Sequence, residues 1–396
     1  MRQPLRILML IPHLGLGGAQ GAFLRIARFL ANHAEVSLAV MHGDTSEAQD
    51  FKGYHLDVAG TGKVRRWWCM FRRLSELKGH HDVSISFLSG MNLLNAITGR
   101  QHSAIVSERG SKRSDSGMST FQRLIWTRLL DPLTYWRAGR VVTASDGLTY
   151  EIVSRNTWVG SRVVAIEGTI NAKALVEAAD MPVEAEFLPL AERETIVSFG
   201  RFHSQKGYDA LFHAFAKLRT QRPGVKLLLI GTGAEEEPLR SLAQELRLTI
   251  SSSGADAHII TPGARRDPIR YLQLGRVFAF PSRYEGLPNA LLEALATDIP
   301  ILAADCPWGP RAILSAGSLL DRDPAPSYPC RLKHGVLMPL IDAPNGIEIW
   351  ANELEAALAA APWKALDGAT RRARIDRYDL RNTGPQWLAL AETLSS

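Results

Sequence analysis

The chain has 396 residues, 46% of them apolar and 22% charged. These ordinary values exclude a disordered or fibrous protein, and the length exceeds one ordinary core and fits two domains. The net charge of +6 sits entirely in the first half, where 22 basic residues face 16 acidic ones up to Glu184, against 24 and 24 beyond it. The three cysteines, Cys69, Cys306 and Cys330, are odd in number and lack metal-ligand spacing. They point to a reducing, cytoplasmic setting without a disulfide framework.

The opening "LRILMLIPHLGLGGAQGAFLRIARFLANHAEVSLAVM" reads as strand, glycine loop, helix and strand. Its fully apolar run over 6–11 is of the parallel-sheet kind, and Phe23, Ile26, Ala27 and Leu30 recur at helical spacing. The run is too short for a signal segment, and no apolar stretch of 18 residues exists, so no transmembrane helix is expected. Next comes "KVRRWWCMFRRLSELKGHH" over 63–81, with six Lys or Arg and one acid interleaved with Trp67, Trp68, Met70, Phe71 and Leu74. Such a stretch suits an anionic membrane surface, each cation adding about 1 kcal/mol of attraction. The competing reading puts its aromatics in the core. Arg and aromatic mixtures also stack nucleic-acid bases, but no nucleic-acid motif accompanies this one and no such partner is expected. Strands follow at 81–88, 103–108, 140–145 and 161–168, with helical patterns between them.

After "MPVEAEFLPLAERE" the alternation restarts, which places a domain boundary near 185. Strands are expected at 195–200, 225–231, 257–263, 277–282 and 300–305. Helices are expected in "YDALFHAFAKLRTQRP", over 236–246, near 267–274 and in "LPNALLEALA". Both halves therefore read as doubly wound α/β domains, a pair that implies a cleft.

Three clusters carry chemistry. "LGLGGAQ", with Gly17 and Gly18, links a strand to a helix N-terminus, where amides and the helix dipole favour a phosphate. It lacks the full dinucleotide fingerprint, and no acid follows the next strand until Asp44. In "SFGRFHSQKGYDAL", Arg201 and Lys206 flank a helix N-terminus. Cations are unfavourable there unless an anion sits between them, and a diphosphate is the economical occupant. In "PSRYEGLPNALLEALATDIP", Glu285 lies in the loop before a helix and Glu293 inside it. Asn289, Glu293 and Thr297 also fall at i, i+4 and i+8, so a wetted helix stripe is the plainer alternative.

The ordered set "GGAQ", "GRFHSQKG", "LLLIGTGAEEEPL", "PSRYEGLPNALLEALA" and "DCPWGPRAIL" resembles glycosyltransferase family 4, retaining enzymes of GT-B architecture. The Glu-x7-Glu of Glu285 and Glu293 is its most specific part. The resemblance implies that Arg201 and Lys206 neutralise the donor diphosphate and that the backbone of Gly286, Leu287 and Asn289 cradles it. It further implies that Glu293 accepts from ribose hydroxyls and that Glu285 contacts the transferred sugar. "AIVSERGSKRSD" is similar to members that use UDP-sugars to build lipid-linked or polysaccharide glycans. It places Glu108 and Arg109 near the acceptor, and an ordinary Arg–Glu pair is the alternative there. Trp308, Ala312 and the Thr297–Asp298 pair depart from the usual pattern.

The expected protein is thus α/β and GT-B, two doubly wound Rossmann-like domains facing across a cleft. Residues 1–185 would bind acceptor and membrane, 186–375 would bind the nucleotide sugar, and the C-terminal helix in 376–396 would cross back to the first domain. A retaining hexosyl- or N-acetylhexosaminyltransferase is implied, peripheral on the inner face of the plasma membrane, with a UDP-sugar as substrate and no metal or other cofactor. A nucleotide-sugar epimerase or an inactive nucleotide-sugar-binding protein is the rival reading.

Overall fold

The computed structural model describes residues 4–15, 17–43, 45–57, 62–113, 117–360 and 368–395; for Glu47, Lys63 and Val64 it describes the backbone alone. Asp44, the first acid after the second expected strand, lies outside the described residues. Contacts divide the chain into two units. The first comprises Met1–Arg113, Met118–Ile170 and Arg377–Ser396, and the second includes Asn171–Asp376.

The first unit is built on seven strands: β1 (Arg6–Ile11), β2 (Glu35–Val40), β3 (Lys52–His55), β4 (Val83–Phe87), β5 (Ala104–Glu108), β6 (Arg140–Thr143) and β7 (Val163–Ala165). Their order is β3-β2-β1-β4-β5-β6-β7 and every pairing is parallel. A parallel strand must be covered on both faces, which is why β1 reads as a continuous apolar run. Ile7, Met9 and Ile11 pack under helices Gly18–Ala31 and Leu380–Ser395, where Trp387 lies against Phe87 at 5.7 Å between ring centroids. Leu8 and Leu10 pack on the other face with Met70 and Leu74 of helix Lys63–Gly79 and with Met91 and Leu94.

The second sheet has eight strands: β8 (Thr195–Phe199), β9 (Lys226–Ile230), β10 (Ile250–Ser251), β11 (Ile259–Ile260), β12 (Val277–Phe280), β13 (Ile301–Ala304), β14 (Cys330–Leu332) and β15 (Gly335–Met338). Their order is β10-β11-β9-β8-β12-β13-β15-β14. Only the β14–β15 hairpin is antiparallel, and neither of its short strands was expected from the sequence. The order reverses between β8 and β12, so the loops after these two strands flank the switch point, where open α/β sheets hold their ligands.

The units part between Ile170 and Asn171, earlier than the compositional break near 185. Helix Ala172–Ala179 packs on the Pro268–Leu274 turn and on helix Gly368–Ile375, which draws it into the second unit. Helix Leu380–Ser395 belongs to the first unit, where the ring of Phe29 fills the space in which a side chain at Gly384 would stand.

Candidate active site

The site in the second unit begins with backbone geometry after β8. Gly200 has φ 152° and Gly207 has φ 66°, both in the region that penalises a Cβ. A Cβ on Gly200 would stand 2.8 Å from the Tyr208 hydroxyl and 3.2 Å from Lys206 Cε, and one on Gly207 would stand 2.4 Å from the Pro281 carbonyl oxygen. The glycines therefore let the 200–207 loop lie against the loop after β12. Lys206 runs between them, its Nζ 5.4 Å from the Phe280 ring centroid.

Lys206 Nζ donates to Glu285 Oε1 at 2.7 Å, with the two side chains 14% and 9% exposed. The pair is held from both sides. Gln205 Nε2 donates to the Tyr284 carbonyl at 2.7 Å, and the Arg283 amide donates to the Gln205 carbonyl at 2.7 Å. The Arg283 guanidinium bonds the Ser204 carbonyl, Asp342 and Asp209, and Asp342 first, with Asp209, holds its pKa above the ordinary arginine value. On the far side the Glu285 amide donates to the Pro307 carbonyl, and the Trp308 amide donates to the Glu285 carbonyl at 3.1 Å. Asp305 and Arg311 brace that segment as a two-point ion pair of 2.6 and 2.7 Å, joined by the Tyr328 hydroxyl. Glu285 is thus fixed before any ligand arrives, as an electrostatic site requires.

Burial pushes the Tyr208 phenol up, against a hydrogen bond from Ser198, and the Glu285 charge adds to the shift. Burial and then the Glu285 charge also raise Cys306 well above its ordinary value, so that it stays a thiol at neutral pH. Both groups are therefore protonated at neutral pH.

Of the residues singled out in the sequence, Lys206 and Glu285 meet directly. Arg201 lies exposed one residue past Gly200, and Gly286 and Leu287 are buried beside Glu285. Asn289 and Glu293 are half-buried on the short helix Asn289–Leu295, preceded by Pro288. Thr297 is 6% exposed and donates to the Ala294 carbonyl, so the wetted stripe does not extend to it. Sequence reasoning passed over Arg283, Gln205, Asp305 and Arg311. The Arg283–Asp209 and Arg311–Asp305 pairings carry no spacing signal that singles them out, because they form only when the loops meet.

In the first unit Gly17 precedes helix Gly18–Ala31 in extended backbone, and its carbonyl accepts from Gly21. Glu108 and Arg109 part company there. Glu108, 3% exposed, bonds Lys112 at 3.1 Å and Asn92 at 3.2 Å, and Lys112 reaches Asp131 at 2.6 Å. Arg109 lies over the Phe87 ring at 5.6 Å, where burial and then Arg25 lower its pKa to about 10. The two do not form the ordinary ion pair considered above, since successive residues at a strand end point to opposite faces. Burial works against the Lys112 charge, yet Glu108 and Asp131 outweigh it and keep its pKa above the usual value. Burial pushes the Asp131 carboxyl up to about 6, with Lys112 pulling it back. Among the described residues no group of three His, Cys, Asp or Glu is placed to hold a metal ion, and no helix is long and apolar enough to cross a membrane.

Comparison with known proteins places this geometry. Residues 193–339 match the family Glycosyl transferases group 1. The whole chain aligns with the crystal structure of Anabaena Alr3699/HepE in complex with UDP and glucose, with TM-score 0.71, 16% identity and 99% of each chain covered. The fold is therefore that of the GT-B glycosyltransferases. Among curated relatives, an uncharacterized glycosyltransferase of Methanocaldococcus jannaschii is 29% identical over 41% of this chain, a match that spans only 38% of that protein's length. The lipopolysaccharide core biosynthesis glycosyltransferase LpsE of Rhizobium meliloti is 28% identical, over 72% of this chain and 75% of LpsE. The N-acetylgalactosamine-N,N'-diacetylbacillosaminyl-diphospho-undecaprenol 4-alpha-N-acetylgalactosaminyltransferase of Campylobacter jejuni is 23% identical, over 76% of this chain and 80% of the relative.

Proposed function

We propose that the protein is a retaining glycosyltransferase that moves a hexosyl or N-acetylhexosaminyl group from a UDP-sugar to a lipid-linked or glycan acceptor in cell-surface glycan assembly. The observation that carries the reading is the buried Lys206–Glu285 pair, locked between cross-bonded loops at the switch point of a group 1 glycosyltransferase region. UDP as the nucleotide is supported by the UDP bound to the Anabaena neighbour, and a lipid-borne acceptor by the diphospho-undecaprenol in the Campylobacter relative's name.

In this reading Arg201 and Lys206 face the donor diphosphate, with the backbone of Gly286, Leu287 and Asn289 beside it, and Glu293 accepts from the ribose hydroxyls. Glu285 binds sugar hydroxyls near the reacting carbon. The bond from that carbon to the phosphate oxygen breaks as the acceptor oxygen bonds on the same face, and the departing phosphate oxygen takes the acceptor's proton. The nucleoside diphosphate leaves with its charge stabilised by fixed cations and dipoles, the largest contribution such a site supplies. This chemistry invokes no metal ion. Residues 1–185 bind the acceptor, with the Gly17–Gly18 loop available to the diphosphate and with Arg109 and Glu108 near the acceptor. Residues 186–375 bind the donor, and the helix in 376–396 belongs with the first half.

The protein acts in the cytoplasm, on the inner face of the plasma membrane. Helix Lys63–Gly79 supports that location: Met70 and Leu74 face the core, while Trp67 and Trp68 are 46% and 60% exposed among exposed Arg65, Arg66, Arg72 and Arg73. The test is UDP release from a panel of UDP-sugars with membrane-extracted acceptor. Lys206→Ala should cut release by about 10²–10³-fold, and wild-type turnover by that variant would overturn the reading.

A further inference from the structure

Between helix Pro310–Leu314 and β14 the chain runs through 315–329, a stretch that holds Pro324, Pro326 and Pro329. It is strapped back onto the 305–311 segment: Asp321 Oδ2 accepts from the Gly309 amide at 2.9 Å, the Asp323 carbonyl accepts from Arg311 Nη1, and the Tyr328 hydroxyl donates to Asp305 Oδ2. The strap is also set within itself. The Asp323 carboxylate accepts from the Leu320 amide at 2.7 Å, and the Asp323 amide donates to the Leu320 carbonyl at 3.0 Å. Each proline fixes one φ and lowers the freedom lost when the strap is laid down. Burial, then the hydrogen bond to Asp305, pushes the Tyr328 phenol up to about 12, so it keeps the proton it donates.

The residues that receive the strap also hold the loop of one site glutamate and the helix of the other. Pro307 accepts from the Glu285 amide, and the Trp308 amide donates to the Glu285 carbonyl at 3.1 Å. The next residue, Gly309, has φ 109° and lies so close to Pro288 that a Cβ would stand 2.7 Å from its Cδ. Pro288 opens helix Asn289–Leu295, its carbonyl accepting from the Leu291 amide at 3.0 Å, and that helix carries Glu293. Asp321 therefore fixes the amide of a residue set between the Glu285 loop and the Glu293 helix. In the transfer proposed above Lys206 faces the diphosphate, so donor binding competes for the 2.7 Å bond from Lys206 to Glu285. The backbone bonds from Pro307 and Trp308 are then what hold Glu285, and they are only as rigid as the segment that carries them. An electrostatic site works when its groups are fixed before charge develops, and a displacement of about 1 Å can cost about 10²-fold in rate.

We propose that Asp321 and Tyr328 are positioning residues: through Gly309 and Asp305 they keep Glu285 and the helix of Glu293 in place while Lys206 turns to the donor diphosphate. Asp321 acts as a hydrogen-bond acceptor for one amide, not by its charge. Tyr328 acts through Asp305, whose carboxylate Arg311 grips at 2.6 and 2.7 Å. Neither residue touches substrate. The inference rests on the proposed function in that Glu285 is taken as the group that binds the transferred sugar.

The test is steady-state kinetics of the full chain with the donor, UDP-glucose or UDP-N-acetylglucosamine, that turns over faster, alongside thermal stabilisation by UDP. Asp321→Ala should lower kcat about tenfold and Tyr328→Phe about fivefold, each with the donor KM close to the wild-type value. Both should keep the wild-type shift from UDP, which shows that they fold. Asp321→Asn still offers a carbonyl oxygen to the Gly309 amide and should restore kcat. Wild-type kcat in both Asp321→Ala and Tyr328→Phe, with Glu285→Gln impaired, would overturn the inference and leave the transferase reading standing. Loss of the UDP shift in step with activity would also overturn it, since the strap would then only hold up the fold. So would an Asp321→Asn as impaired as Asp321→Ala, which would mean that the carboxylate acts by its charge. If Glu285→Gln turns over as wild type, the role given to Glu285 fails, and this inference fails with it.

Discussion

Each unit buries a lysine–glutamate pair at the carboxyl end of its sheet, and the two pairs are built for different purposes. In the first unit Lys112 is shared between Glu108 and Asp131, with Asn92 bonding Glu108 as well. Two carboxylates on one ammonium leave no spare positive charge, and the network ties β5 to the helical segment that begins at Asp131. In the second unit Lys206 meets Glu285 alone, above an aromatic ring and one residue from a left-handed glycine, with the exposed Arg201 nearby in sequence. That pair is charge-balanced within itself and placed at a switch point, so an incoming diphosphate can take over the lysine without leaving a second acid stranded. A buried ion pair is thus no indicator of function by itself; its stoichiometry and its place in the topology distinguish a strut from a site.

Substitutions sharpen this contrast. The largest effect expected on stability is from Lys112→Ala, which leaves two buried carboxylates unpaired and should cost about 3–5 kcal/mol, read as a fall in denaturation midpoint. Lys206→Ala should instead cut kcat by about 10²–10³-fold and lower Tm by less than Lys112→Ala does. Equal losses of stability with activity retained would erase the distinction. Asp131→Asn probes the strut through pH. A folded pKa of about 6 lies above the ordinary carboxyl value near 4. The native state then holds the extra proton between those values, and the stabilisation present below pH 4 is lost as pH rises through 6. The variant should flatten that slope, a change on the order of 2 kcal/mol, in urea midpoints measured from pH 4 to 7. The smallest effect is expected from Arg311→Lys, which keeps the charge but not the two-point grip on Asp305. It should lower kcat about fivefold with Tm nearly unchanged, and a larger loss from an intact fold would mean that the 305–311 segment itself touches substrate.

Much of the fold was legible because parallel strands must be apolar on both faces, as β1, β8 and β13 are. The short edge strands β10 and β14 were not, since an edge strand buries too little to leave a pattern, and β15, though paired on both sides, is only four residues long. Lys206 and Glu285 were legible because glycines and charges sit where strands end. Their meeting, and the clamps from Gln205, Arg283 and Arg311, depend on loops brought together by the reversal of strand order between β8 and β12, which local sequence does not encode. The division of Glu108 from Arg109 was hidden for another reason. Alternation along a strand says that neighbours face opposite ways, but not which face holds Phe87 and which holds Lys112. On helix Lys63–Gly79 the periodicity allowed both inward and outward aromatics, and packing chose Met70 and Leu74 for the core while leaving Trp67 and Trp68 outside.

The most direct measurement is thermal stabilisation by UDP, GDP, CMP and NAD, on the wild-type chain and on Glu293→Ala. At 100 times its dissociation constant a ligand adds about 2.7 kcal/mol, a shift of several degrees. UDP should give that shift, and Glu293→Ala should lose most of it. Stabilisation by none of the four, or an undiminished UDP shift in Glu293→Ala, would contradict a nucleotide-sugar site built around Glu293, Glu285 and Lys206.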